Sequence, residues 1–165
     1  MNKTLGIIDS DNKELIFAIE KYFASRDVEV KVISVDYNMA EFDLVVSTDF
    51  KLDGLINHHN ILSIFPALLP SFKDEENPIL ASFLSGVKVT GITIYSVMRN
   101  KILAQYPVLI GLDTTIVELT EELLNIAQKV YPVVIDAVLN DKVFDFSDLM
   151  TSKCNSGCGA CGGCH

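Results

Sequence analysis

The sequence predicts an α/β protein: one mostly parallel, twisted sheet with flanking helices, followed by a short tail rich in cysteine and glycine. Three observations carry this expectation. The first fifty residues alternate strand-like and helix-like runs, residues 87–110 hold two adjacent β-branched runs, and a long stretch from residue 113 repeats apolar residues at helical spacing. A strand–helix–strand opening argues for parallel pairing through a helical crossover.

Leu5 to Ile8 is a short apolar run that stops at Asp9, which predicts the first strand. Asp11 and Glu14 have the D-x-x-E spacing of a capping box, and Leu15, Ile16, Ile19, Tyr22 and Phe23 recur at helical spacing to about Ser25. Val28 to Val35 alternates and is β-branched, predicting strand two, and Phe42 to Val46 predicts strand three. Only about six residues separate those two runs, fewer than the roughly ten to twelve of an ordinary parallel crossover. Either an irregular loop connects them or one of the two strands is absent. Asn60 to Phe65 predicts strand four, stopped by Pro66. Asn77 with Pro78 starts a helix that ends before Gly86. Val87 to Val97 is the longest strand, Arg99-Asn100-Lys101 a turn, and Ile102 to Ile110 its antiparallel partner. Asp113 or Thr114 opens a long helix through Ile116, Leu119, Leu123, Leu124, Ala127 and Val130, with Pro132 kinking or restarting it and Val133 to Leu139 continuing it.

The chain of 165 residues carries a formal charge of −9. An acidic chain repels phosphate backbones, so nucleic-acid binding is not expected. No apolar run reaches the ~18 residues of a membrane span, and the N-terminus stays apolar only briefly before Asp9, unlike a signal peptide. A reducing, cytoplasmic location is the resulting expectation.

All four cysteines lie in the last twelve residues, which divides the chain into a body of about residues 1–146 and a tail, 147–165. Cysteines that staple a fold are spread through it, so these have another role. Cys154, Cys158, Cys161 and Cys164 are spaced C-x3-C-x2-C-x2-C, with His165 after the last. Clustered thiolates are soft ligands, suited to zinc or an iron–sulfur cluster, and the intervening glycines permit the turns that wrap a metal. A metal would imply a protein partner or metal acceptor of unknown identity. A reduced peptide without metal, and a Cys-rich peptide that another enzyme modifies with the body as its leader, stay open.

Several ordered segments resemble one family. Ile61-Leu-Ser-Ile-Phe-Pro-Ala-Leu-Leu-Pro-Ser-Phe72, Gly86-Val-Lys-Val-Thr-Gly-Ile-Thr-Ile-Tyr-Ser-Val97, Ile102-Leu-Ala-Gln105, Asp113-Thr114 and Lys129-Val-Tyr-Pro-Val133 are similar to the folate-dependent formyltransferases, most of all the phosphoribosylglycinamide formyltransferases. The likeness covers about residues 1–145 and is strongest over 61–135. It implies a Rossmann-type fold in which Pro66, Leu68, Pro70, Thr90 and Gly91 are fold signatures, with Gly91 allowing close backbone approach and one of the two prolines a candidate for a cis bond.

The resemblance also implies formyl transfer from 10-formyltetrahydrofolate to an amine, worked by an Asn, a His and an Asp. Ser63 stands at the Asn position and Phe65 at the His position, and the loop that should carry the Asp is shortened near Met98, leaving Met98, Arg99 and Asn100. Asp9-Ser10-Asp11-Asn12 replaces the glycine-rich phosphate loop. The chain is therefore expected to be a catalytically degenerate member whose tail binds metal. The alternative is an active enzyme of the phosphoribosylglycinamide type in purine biosynthesis. Two smaller readings concern side chains near strand ends. Asp9, Asp11 and Asp49 are a candidate divalent-cation site, with capping and solvation of strand-end turns as the plainer alternative, and His58 or His59 is a candidate replacement for the absent His, with a solvated loop pair as the plainer alternative.

Overall fold

The computed structural model describes residues 2–50 and 60–143. In chain order these form β1 (Lys3–Ile8), α1 (Lys13–Phe23), β2 (Val28–Ile33), a 3-10 turn (Met39–Glu41), β3 (Leu44–Ser47), β4 (Ile61–Phe65), α2 (Pro78–Leu84), β5 (Val89–Ser96), β6 (Lys101–Leu109) and α3 (Ile116–Leu139). They build one six-stranded sheet in the order β2-β1-β3-β4-β5-β6. The first four strands are mutually parallel, β5 runs antiparallel to β4, and β6 antiparallel to β5. Among the described residues no helix is long and apolar enough to cross a membrane.

β2 and β3 flank β1, so the short connection between them crosses over β1. It does so as an irregular loop, residues 34–43, whose 3-10 turn buries Met39 against Ile33, Val45 and Ile61. The loop thus covers part of one sheet face without a helix. The opposite face carries the main core. There Leu5, Ile7, Val46, Leu62, Ile64, Ile92 and Ile94 meet Leu15, Ile19 and Phe23 of α1 and Leu119, Leu123, Ala127 and Tyr131 of α3. Alternation along each strand assigns these two faces.

Two helix starts differ from the sequence expectation. Asn12, rather than Asp11, caps α1: its side chain accepts from the Leu15 amide at 3.3 Å. Asn and Asp cap equally well, and the helix begins one residue later than the D-x-x-E spacing suggests. α3 is capped by Thr115, not by Asp113 or Thr114. Thr115 and Glu118 form a reciprocal capping box, while Thr114 takes the Gly111 amide in the preceding turn. Pro132 lies inside α3, which runs on to Leu139. A mid-helix proline costs ~3 kcal/mol, and here its neighbours Tyr131, Val134 and Ile135 are all completely buried. That burial holds the second half of the helix in register.

α2 follows expectation, with Asn77 capping, Pro78 in the first turn and Gly86 at φ 72° just beyond. Gly91 is required by close approach: a Cβ there would lie 2.2 Å from the Tyr106 carbonyl oxygen and 2.7 Å from Leu68 Cδ2. The loop after β4 contains the cis Leu69–Pro70 bond. Thr93 on β5 fastens that loop. Its hydroxyl donates to the Ala67 carbonyl at 2.7 Å and accepts from the Leu69 amide at 3.0 Å and from Gln105 Nε2 at 3.1 Å.

Candidate functional site

In an open parallel sheet the crevice beyond the carboxyl ends of the strands is the natural ligand position. Here the loop held by Thr93 walls a cleft of about 1110 Å³ at that edge. Its apolar side consists of Phe65, Pro66, Leu69, Pro70, Tyr95 and Ile102, and its polar rim of Asp49, Asp74, Glu75 and Glu76 with Lys73. Four carboxylates against one ammonium set the sign of its field. Asn100, from the β5–β6 turn at φ 45°, also lines it.

Ser63 pairs across the strands with Tyr95, and Phe65 with Thr93. The β3–β4 register matches Val46 with Leu62, so one step further Ser47 stands beside Ser63. Ser47, Ser63 and Tyr95 therefore lie in a row across three strands on one sheet face. The two serines are completely buried and Tyr95 is 7% exposed. None of the three hydroxyls has a hydrogen-bond partner among the described residues. Burial pushes the Tyr95 phenol above its ordinary pKa, and the neighbouring Ser63 hydroxyl only partly offsets this without reaching hydrogen-bonding geometry. Tyr131 approaches the same strand ends from α3. Its hydroxyl is directed at the Ser47 carbonyl at 2.8 Å and the Leu62 carbonyl at 3.1 Å, and full burial drives its pKa far up.

Phe65 packs with Ala67, Tyr95, Leu69 and Phe72 in a small apolar cluster of its own. The β5–β6 turn, Val97 to Asn100, holds no carboxylate, and Met98 is 58% exposed. Of the acidic group, Asp9 is engaged by Lys13 one helical turn away, whose ammonium holds the Asp9 carboxyl below its ordinary pKa. Ser10 and Thr48 hydroxyls meet at 2.7 Å, and Ser10 also takes the Asn12 amide. Asp11 and Asp49 line a separate, smaller pocket of about 300 Å³ beside them. Among the described residues no three His, Cys, Asp or Glu side chains gather to hold a metal ion. Asp9, Asp11 and Asp49 do not form such a group.

Of the fold signatures, Gly91, Pro70 and Leu68 occupy the contacts described above, and Thr90 is buried with its hydroxyl unpartnered among the described residues. His58, His59 and the tail residues Cys154, Cys158, Cys161, Cys164 and His165 lie outside the described residues. The acidic rim at 74–76 was not anticipated. Its signal is the Asp-Glu-Glu run shortly after Pro70, which a solvated loop explains equally well until the fold brings it over the end of β4.

Comparison with known proteins matches this architecture. The formyl transferase family matches residues 18–135. The crystal structure of phosphoribosylglycinamide formyltransferase from Anaplasma phagocytophilum is 21% identical with a TM-score of 0.71, over 90% of this chain and 91% of that one. The enzyme of the same name from Bacillus halodurans is 23% identical with a TM-score of 0.69, over 83% and 95%. A formyltetrahydrofolate deformylase from Pseudomonas syringae pv. tomato is 16% identical with a TM-score of 0.70, over 89% of this chain and 64% of that one. No curated protein matches. With more than half of its length matched and its sheet shared with these structures, the chain belongs to the formyl transferase family.

Proposed function

We propose that the chain is a formyltransferase-fold protein that no longer transfers formyl groups, and that its tail, residues 147–165, binds zinc or an iron–sulfur cluster through Cys154, Cys158, Cys161, Cys164 and His165. The observation that carries the first half is Phe65. It occupies the position where the family resemblance places a histidine, and it is an apolar ring packed against Ala67 and Tyr95. Such a ring neither donates a hydrogen bond nor titrates. Loss of a general acid–base group costs about 10²–10⁴ in rate and loss of an oxyanion donor about 10²–10³.

The residues present do not fit the reacting end of 10-formyltetrahydrofolate. Ser63 is wholly buried, Phe65 is apolar, and the β5–β6 turn supplies no carboxylate. The phosphate loop is likewise replaced by residues bonded to one another, with Asp11 and Asp49 beside them. The metal half rests on the spacing of the cysteines alone. A bound metal makes a metal acceptor or protein partner the next participant.

Two assays test the reading. Anaerobic purification with metal and sulfide analysis, beside a chain ending at Ser152, should give near-stoichiometric metal only in the full chain. Turnover of 10-formyltetrahydrofolate with phosphoribosylglycinamide or simple amines should stay at the uncatalysed background. Equal metal in both chains, or none in either, removes the metal half, and enzyme-dependent turnover removes the degenerate half.

A further inference from the structure

We infer that the outer edge of β2 is a self-association surface, on which a second copy of this chain pairs antiparallel across a twofold axis at Val30 and continues the sheet. The inference concerns assembly and depends neither on the cysteine tail nor on the loss of formyl transfer.

β2 ends the sheet, with β1 on its inner side. The Ile33 carbonyl accepts from the Asp9 amide of the β1 side at 2.8 Å. In a parallel ladder a residue turns both backbone groups to one side, and the next residue turns both to the other. Glu29, Lys31 and Ile33 therefore point their backbone groups at β1, and the N–H and C=O groups of Val28, Val30 and Val32 point outward. Among the described residues no strand pairs with that side. Such a row is a template for a further strand. The far edge of the sheet, β6, is closed by its chemistry. There the Ile110 amide donates to the Lys88 carbonyl at 2.9 Å, and alternation along the β5–β6 register turns the backbone of Pro107 outward. A proline has no N–H to offer a new strand. β2 carries no proline.

Val28-Glu29-Val30-Lys31-Val32 has the same polarity pattern from either end, with opposite charges at its mirror positions. An antiparallel copy centred on Val30 sets Val30 against Val30, Val28 against Val32, and Glu29 against Lys31 on both sides of the axis. The valine pairs are the hydrogen-bonded ones, because their backbone groups face outward. The Glu29–Lys31 pairs fall at the other sites, where opposed side chains approach closest. Centring the axis on Glu29 or on Lys31 opposes like charges, and so does in-register parallel pairing. Charge thus selects one register, and a twofold contact of this kind closes at the dimer.

The side chains are placed for it. Val28 and Val30 pack against the main core, whereas Val32 keeps 38% of its surface exposed at the edge. On the other face the Lys31 ammonium lies 4.3 Å from the Tyr37 ring centroid and donates to the Tyr37 hydroxyl at 2.7 Å. That bond uses one of its three N–H donors and leaves the others for a carboxylate. Glu29 is exposed on the same face. A lone lysine on an edge strand deters pairing. A lysine with a glutamate two residues away deters like-charge registers and favours the one centred between them.

The test is sedimentation velocity on the full chain from micromolar to near-millimolar concentration, with reductant and a chelator so that tail thiols do not link chains. It should show a reversible monomer–dimer equilibrium, and the amides of Val28, Val30 and Val32 should exchange more slowly at high concentration than at low. Glu29→Lys and Lys31→Glu should each weaken dimerisation about tenfold or more. An equimolar mixture of those two variants should recover it, because each chain then meets the opposite charge in its partner. If Lys31→Glu fails to fold, Glu29→Lys beside Glu29→Gln carries the test, and the charge reversal should weaken dimerisation more than the neutral change.

A monomer at every concentration would overturn the inference, as would a dimer that neither reversal weakens or folded variants that do not recover on mixing. Equal effects of Glu29→Lys and Glu29→Gln would overturn it too. So would slow exchange at the three valines that is independent of concentration, since a segment of the same chain would then occupy the edge.

Discussion

Replacing Thr93 by valine exchanges one hydroxyl for a methyl and leaves the volume nearly constant, so the result reports on hydrogen bonds rather than on packing. The Thr93 hydroxyl donates to the Ala67 carbonyl at 2.7 Å, accepts from the Leu69 amide at 3.0 Å, and accepts from Gln105 Nε2 at 3.1 Å. Ala67 and Thr93 are both wholly buried, so the Ala67 carbonyl has little access to water once its donor is gone. A buried group left unsatisfied costs ~1–3 kcal/mol, and each ordinary bond contributes ~0.5–1.5 kcal/mol. The Gln105 amide keeps its 3.0 Å bond to the Leu69 carbonyl and loses little. The expected destabilisation is thus about 2–4 kcal/mol, dominated by Ala67 and Leu69.

Urea unfolding should show a lower midpoint at unchanged m, and Tm should fall by roughly 4–16 °C at ~2–4 °C per kcal/mol for a chain of this size. A loss under about 1 kcal/mol would refute the reasoning, because it would mean that the 66–70 loop is held by its apolar contacts alone. A Gln105→Ala variant completes a double-mutant cycle, and its coupling to Thr93→Val should be the smaller part of the total.

Three further outcomes are expected. Gly91→Ala should destabilise by about 1–3 kcal/mol or more in thermal unfolding, since the added Cβ meets the backbone oxygen of Tyr106 at 2.2 Å rather than a side chain that can move; a neutral result would contradict the close approach. Thr115→Ala, which dismantles the capping box of α3, should cost ~0.5–2 kcal/mol, while the same change at Thr114 should cost less; the reverse order would place the helix start elsewhere. Hydrogen bonds from Thr4 hold the Asp43 carboxyl below its ordinary pKa, and those from Thr115 do the same for Glu118. A depressed carboxylate stabilises the fold above its unfolded pKa and stops doing so as pH falls through its folded pKa. Tm should therefore drop on acidification below about pH 4.5; an Asp43→Asn, Glu118→Gln double variant should show a shallower drop, and an equally steep profile would assign the acid sensitivity to other groups.

Local chemistry made much of this fold legible. Asn77-Pro78 and Gly86 bracket α2 as their capping preferences require, and Arg99-Asn100-Lys101 reads as the turn between β5 and β6 because the runs on either side are β-branched. Strand order was less accessible, since placing β1 between β2 and β3 is a non-local pairing that no short window encodes. The helix runs past Pro132 to Leu139, as its apolar spacing suggests, with buried neighbours offsetting the proline's local penalty. At the site, Phe65 and Tyr95 are core aromatics that also wall the cleft, a dual role visible only once the loop folds over β4. The acidic rim is a tertiary product of the same loop. Asp9 is paired with Lys13, one helical turn along, a partner visible in the spacing of the two residues.

Tyr131 and Thr93 brace the strand ends and the adjoining loop from opposite sides, one through carbonyls of β3 and β4 and the other through the loop backbone. Neither uses a side chain at positions 63, 65 or 98–100. The hydrogen bonds of the frame can consequently survive changes at those positions. Substitutions of similar size there alter what is bound or turned over while leaving the chain above the stability threshold that removes most mutations. A lineage built on this frame can change its chemistry by single steps, each of them a folded protein.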